Sequence, residues 1–202
     1  MNVLITGAGG ALGTSVRAAF EKAGCTLYTP SSRELNLTDE AAVVKYFAGL
    51  PQLWASVHLA GGFVMAPFVD TSLAQVRQQL DINFVTAFLC CREAVKKGAQ
   101  RIVNVASRLA LEPGPGSIAY AASKAALVMM TRSLAEELEP KGVLVNAVAP
   151  SLMDTPANRK SMPDADPSKW PKTDDVARAI LWLASKDNVL TSGAVVPVYG
   201  AT

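Results

Sequence analysis

Asn2-Val3-Leu4-Ile5-Thr6-Gly7-Ala8-Gly9-Gly10-Ala11-Leu12-Gly13 joins a short apolar run to a glycine-rich turn, and a helical pattern follows from Leu12 to Ala23. A strand, a glycine turn and a helix in that order are what a dinucleotide pyrophosphate requires. The glycines let the backbone bend sharply and come close to a phosphate. The helix then offers its first N–H groups and the positive end of its dipole. Gly7, Gly10 and Gly13 are spaced G-x-x-G-x-x-G, with Ala11 and Leu12 beside them at the helix start. These five residues are candidates for holding a cofactor. A glycine-rich connection with no ligand is the plainer alternative.

Outward from this stretch the same alternation repeats. Strand-like runs fall at Thr26–Thr29, Trp54–Leu59, Arg101–Ala106, Val143–Ala149 and Ala194–Val198. Helical patterns fall between them, over about 40–48, 71–97, 117–139 and 173–185. Asp39 caps one of these, and Gly98 and Gly142 end others. Strands that are apolar throughout and alternate with helices predict a parallel sheet covered on both faces. With right-handed crossovers this is a doubly wound α/β sheet of the Rossmann type. No repeat or boundary divides the chain, so residues 1–202 are expected to form a single domain. One irregular stretch, about 151–171, carries Pro156, Pro163, Pro167 and Pro171. A loop that long in a compact domain is functional or disordered.

The composition narrows the functional classes. Half of the 202 residues are hydrophobic, enough for a sizeable core, and the net charge is only +2. Lys and Arg are scattered, which argues against nucleic acid as a partner. Apolar runs are too short to span a bilayer, so no membrane role is expected. Nothing resembling a secretory leader precedes the first strand, and Cys25, Cys90 and Cys91 read as reduced thiols, so a cytoplasmic setting is expected. A single histidine, His58, makes a metal site improbable, and the expected metal is none.

Tyr120 and Lys124 lie four residues apart on a predicted helix, hence on one face. A free tyrosine titrates near ~10 and is a poor proton shuttle at neutral pH. An ammonium one turn away would favour the phenolate. Tyr120 is then a candidate acid that protonates a carbonyl or imine as hydride arrives. Ser107, thirteen residues earlier, ends a strand at the edge where open sheets bind ligands, and its hydroxyl can hold the same substrate atom. After the second strand, Thr29 to Arg33 contains no acid for a ribose 2′-hydroxyl. Ser31 and Arg33 suit a 2′-phosphate better, so NADPH is favoured and NADH remains possible. Arg33 as a solvated surface residue is the alternative.

Together these motifs resemble the short-chain dehydrogenase/reductase family from Asn2 to Gly200. The resemblance adds further expectations. Ala60-Gly61 is similar to the family's turn after the third strand, and Asn83 to an asparagine beside the catalytic lysine. Pro150 and Thr155 fall where the family contacts the nicotinamide, and Lys124 would also hold its ribose. Asp154-Thr155-Pro156 through Asn158-Arg159-Lys160-Ser161-Met162-Pro163 to Trp170 resembles the loop of the dihydropteridine reductase branch. That likeness implies a small-molecule substrate with a C=N bond, quinonoid dihydropterin being the best match. A ketone, aldehyde or quinone is the alternative, and a non-catalytic NAD(P) sensor the less favoured one. Phe63, Met153, Met162 and Trp170 are the implied substrate surface, under a closing lid. Departures are Ala11 and Ser151 where the family has glycine, and His58-Leu59 where it has Asn-Asn. Ser107 and the missing acid also differ from the animal members of that branch. The family further implies a homodimer or homotetramer built on helices 71–97 and 117–139, with Ala87, Phe88, Cys90, Cys91, Leu127, Met130 and Leu134 on the shared face.

Overall fold

A computed structural model describes residues 1–112 and 114–201. Six parallel strands form one sheet in the order β2-β1-β3-β4-β5-β6. They are β1 (Asn2–Thr6), β2 (Thr26–Tyr28), β3 (Ala55–His58), β4 (Arg101–Val105), β5 (Leu144–Pro150) and β6 (Val195–Val198). The chain starts near the centre, winds outward to β2, then returns past β1 to β3. That reversal leaves a crevice at the carboxyl ends of β1 and β3, where doubly wound sheets bind ligands.

Helices cover both faces: α1 (Ala11–Lys22), α2 (Glu40–Ala48), α3 (Leu73–Leu80), α4 (Thr86–Lys96), α5 (Ile118–Leu138), α6 (Pro156–Ser161) and α7 (Thr173–Ala184). Val3 and Ile5 of β1 pack with Val16 and Phe20 of α1 and Ile180 of α7 on one face. Leu4, pointing the other way as strand alternation requires, packs with Val43, Phe47 and Leu89. Among the described residues, no helix is long and apolar enough to cross a membrane.

Three expectations need correction. The helix predicted over 71–97 is interrupted by a π-helical turn, Asp81–Val85, between α3 and α4. The stretch at 151–171 is partly ordered by α6, whose start is capped by Thr155 Oγ1 accepting from the Asn158 N–H. Ala87, Cys90, Cys91 and Leu127 are buried in the chain's own core and cannot form a shared face. Cys90 packs under Leu89 and Ala94, and Cys91 against Ile102 and Val145. On these helices the exposed large apolar residues include Leu73, Phe88, Ile118 and Met129.

His58 closes a polar network inside the sheet. Its Nδ1–H donates to Asn104 Oδ1 at 2.8 Å, which leaves Nε2 to accept from the Ser56 hydroxyl at 2.8 Å. Asn104 sits opposite His58 on β4 and donates to Thr131 Oγ1 on α5 at 2.9 Å. Sheet and helix α5 are thus tied through Asn104. Burial pushes the His58 pKa down to about 4, against the hydrogen bond to Asn104. Between that value and ~6.5 the unfolded chain binds the extra proton, so this contribution is complete above ~6.5 and is lost as pH falls towards 4. Its size is about 3 kcal/mol. Urea unfolding at pH 7.5 and 4.5 should show His58→Asn losing about 2–3 kcal/mol less than the parent between the two pH values. Equal losses in both proteins would refute that role.

Candidate active site

The glycine turn is shaped by sterics at two of the three glycines spaced G-x-x-G-x-x-G. Gly7 has φ +70°, and a Cβ there would lie 2.7 Å from the Ala60 nitrogen. At Gly13 a Cβ would meet the Gly7 oxygen at 2.3 Å. Gly10 is different. An added Cβ meets only the Gly7 oxygen, at 3.5 Å, so the fold tolerates it; what the bare Gly10 provides is an open approach to the start of α1. No acidic residue occupies the first turn of α1, which keeps the positive helix end available.

Gly7, Gly10, Ala11, Leu12 and Gly13 line a cleft of about 330 Å³ together with Gly61, Phe63, Asn83, Ser107, Tyr120, Lys124, Pro150, Met153 and Thr155. The fold thus gathers residues from six separated segments at the crevice. Tyr120 and Lys124 are its ionisable lining groups among the described residues, and no carboxylate faces it. A ligand bearing phosphates would meet a cation and a helix N-terminus there, so these residues fit a nicotinamide dinucleotide.

Ser107 follows β4 in extended backbone (φ −160°) and accepts the Leu109 N–H at 3.2 Å, which fixes its hydroxyl at the strand end. Tyr120 stands in the first turn of α5 and lines the cleft together with Ser107. Burial raises the Tyr120 pKa above its ordinary value, and the Ser107 hydroxyl pulls the other way. Lys124, one turn later, is 5% exposed, and its Nζ donates to the Val105 carbonyl at 2.7 Å. Burial pushes the Lys124 pKa down to about 8. The expected lowering of the Tyr120 pKa by Lys124 is thus not seen. Desolvation disfavours the charged form of both groups, and it is Ser107 that favours the phenolate.

Asn83 lies in the π-helical turn and is fully buried. Its Oδ1 accepts the Gly62 N–H at 3.0 Å, and its Nδ2 donates to the Gly62 carbonyl at 3.0 Å, Gln79 Oε1 at 3.2 Å and Ser123 Oγ at 3.1 Å. Single π-turns are found frequently at functional sites because the extra residue re-aims a side chain. Gly61 is threaded between these groups: a Cβ would lie 2.4 Å from Asn83 Oδ1 and 3.4 Å from Lys124 Nζ. Phe63 presents its ring edge-on to Tyr120, with centroids 4.9 Å apart.

Other expected residues lie elsewhere. Ala60 supports the glycine turn from beneath, its N–H reaching Thr6 Oγ1 at 3.4 Å, and does not line the cleft. Ser31 and Arg33 also lie outside the cleft lining; Ser31 bonds Glu34, and Arg33 is exposed with no side-chain partner among the described residues. Met162 is exposed at the end of α6, and Trp170 is buried; neither lines the cleft. Trp170 instead sits where the loop meets the C-terminal residues, since the Ala201 N–H donates to the Lys169 carbonyl at 2.9 Å. Gly62, Ser151 and Asn158 do line the cleft without having been singled out. Asn158 had a local signal, being three residues after a Thr-Pro helix start, with its Nδ2 donating to the Met153 carbonyl at 2.8 Å.

Comparison with known proteins agrees with this geometry. The family model described as Enoyl-(Acyl carrier protein) reductase matches residues 1–200. The chain is 35% identical to the uncharacterized oxidoreductase YohF of Escherichia coli (strain K12), over 82% of this chain and 71% of that protein. It superposes on ElxO with NADP bound with a TM-score of 0.88 at 26% identity, covering 98% of this chain and 97% of the other. A 3-oxoacyl-[acyl-carrier protein] reductase with bound NAD from Brucella melitensis gives a TM-score of 0.86 at 26% identity, covering 99% of this chain and 90% of the other. With the match running the length of the sheet and the serine, tyrosine, lysine and asparagine at one cleft, the chain belongs to the short-chain dehydrogenase/reductase family of oxidoreductases.

Proposed function

We propose that the protein is an NAD(P)H-dependent reductase that converts an apolar ketone or aldehyde to an alcohol. The observation that carries this reading is the one cleft that brings Ser107, Tyr120, Lys124 and Asn83 together beside the glycine turn. The nicotinamide cofactor, when bound, supplies the hydride. Gly7, Gly10, Ala11, Leu12 and Gly13 would hold its phosphates, and Lys124, Pro150 and Thr155 its nicotinamide end. Ser107 donates a hydrogen bond to the substrate oxygen and so orients it. Tyr120, kept protonated by burial, gives its proton to that oxygen as charge develops on it. Asn83 and Gly61 fix the wall beside Lys124 so that these donors need no rearrangement.

The surroundings favour apolar substrates. Phe63 and Met65 are exposed on the segment leaving the cleft, and Leu111 and Ile118 are exposed on the segment between Ser107 and Tyr120. The two segments are joined, the Ala66 N–H donating to the Gly116 carbonyl at 2.8 Å. Exposed apolar side chains bordering a site mark a contact surface. The Brucella reductase, which by its name acts on a 3-oxoacyl group, is compatible with such a ketone bearing an apolar chain. A second reading, reduction of a quinonoid dihydropterin, rests on the resemblance of the loop at Asp154–Trp170. It is weakened by Met162 and Trp170 standing away from the cleft.

NADPH oxidation followed with methyl ketones of increasing chain length separates the two. Each methylene should raise kcat/KM about two- to fourfold until the chain outruns the surface. A dihydropterin turned over faster than every ketone would establish the second reading. Absence of oxidation with all of them would reject the reductase.

A further inference from the structure

We infer that Arg108 is a positioning residue for Ser107: stacked on Tyr199, it pins the turn that follows Ser107 to the C-terminal segment that also braces the loop at 151–171. The inference rests on the reductase reading above, in which Ser107 orients the substrate oxygen.

Ser107 ends β4, and its hydroxyl is held from within its own turn by the Leu109 N–H. The helical turn that follows, Arg108–Ala110, is three residues long. So short a turn has few backbone bonds of its own, and its place depends on what its side chains grip. Arg108 leaves this turn without lining the cleft. Its guanidinium carbon lies 4.9 Å from the centre of the Tyr199 ring. Its Nε donates to Glu112 Oε2 at 2.7 Å. A guanidinium over an aromatic face is attracted to it, and a carboxylate gripping the same planar group keeps it from swinging away.

Tyr199 is in turn joined to both sides of the cleft. Its side chain packs against the cluster that contains Ala106 and Ala149, the residues just before Ser107 and Pro150. Its carbonyl accepts the Ser151 hydroxyl at 2.7 Å, and Ser151 lines the cleft. The Ser151 N–H donates to the Val198 carbonyl at 3.1 Å, and the Ala201 N–H to the Lys169 carbonyl at 2.9 Å. One segment, 198–201, therefore meets the Ser107 turn through Arg108, the cleft wall through Ser151 and the end of the loop through Lys169. Removing the Arg108 side chain releases the serine's turn from that brace. The nucleotide contacts proposed on the glycine turn stay as they are.

Turnover of a methyl ketone and the NADPH dissociation constant, measured on the parent, Arg108→Ala, Arg108→Lys, Ser107→Ala and the double variant, test this. The Arg108–Glu112 pair is an exposed one, so these variants should stay folded. Arg108→Ala should lower kcat about tenfold, less than the ~10²-fold that a 1 Å misplacement can cost, and leave NADPH binding within about twofold. Arg108→Lys keeps a cation for the ring and should recover most of the loss. With Ser107 already alanine, Arg108→Ala should cost no more than about twofold, because the group it positions is gone. A loss that persists undiminished in the Ser107→Ala background would overturn the inference, as would Arg108→Ala turning over at the parent rate. A parent that oxidises no NADPH with any ketone would instead sink the reductase reading itself.

Discussion

Replacing Tyr120 with phenylalanine should lower turnover by about 10²-fold or more while changing nucleotide binding little. On the proposed reading the hydroxyl is the proton donor, and the ring, edge-on to Phe63, remains in place without it. Ser107 Oγ still accepts the Leu109 N–H in the variant, so the strand end keeps its shape. The pH profile adds a sign. Burial holds the Tyr120 pKa above its ordinary value, so its proton is retained well past neutrality. Lys124, at about 8, loses its charge first. As pH rises through that value the cleft gives up its cation, and kcat/KM for reduction should fall in both the parent and Tyr120→Phe. Stopped-flow turnover and nucleotide titration from pH 6 to 9 check both parts. Unchanged turnover in Tyr120→Phe would remove Tyr120 as the acid, and a flat parent profile to pH 9 would deny Lys124 its electrostatic part.

What could be read from the sequence was local. Gly7 is called for by its positive φ and Gly13 by a clash with the Gly7 oxygen of its own turn, so a turn motif announces both. Tyr120 and Lys124 share a helix face by spacing alone, and Ser107 marks a strand end. What escaped depends on contacts between distant segments. The pattern over 71–97 is continuous in helical propensity, and nothing in it shows that residue 83 must bulge inward. The π-turn coincides with bonds to Gly62 and Ser123, twenty-one and forty residues away. Trp170 looked like a ring waiting for a ligand because it lies in a proline-rich loop. Its burial follows from where residues 200 and 201 dock, and a Cβ at Gly200 would strike the Lys169 carbonyl at 2.4 Å. Cys90 and Cys91 were adjacent apolar residues on a helix, and sequence could not tell a face that meets the sheet from one that meets a second copy.

The helix interruption leads to the other large effect, Asn83→Ala. Asn83 uses both ends of its amide: one acceptor contact and three donor contacts, all within 3.2 Å. Alanine leaves the Gly62 N–H, the Gly62 carbonyl and the buried Gln79 side chain without those partners. A buried polar group left unsatisfied costs about 1–3 kcal/mol, so the loss should total roughly 3–5 kcal/mol. For a domain of this size that lowers Tm by about 6–20 °C. Activity should fall further than stability explains, because Gly61 and Gly62 form the wall against which Lys124 is set. Gln79→Leu separates the two effects. It removes one bond of the same network, fills the space with an apolar side chain, and leaves Gly62 tied to Asn83. It should cost about 1 kcal/mol and keep turnover. Differential scanning calorimetry and turnover at 25 °C, measured on both variants, decide the matter. If Asn83→Ala melts within 2 °C of the parent and reduces substrate at the parent rate, the amide is not what holds the wall. If both variants lose turnover alike, the network stabilises the fold without positioning Lys124.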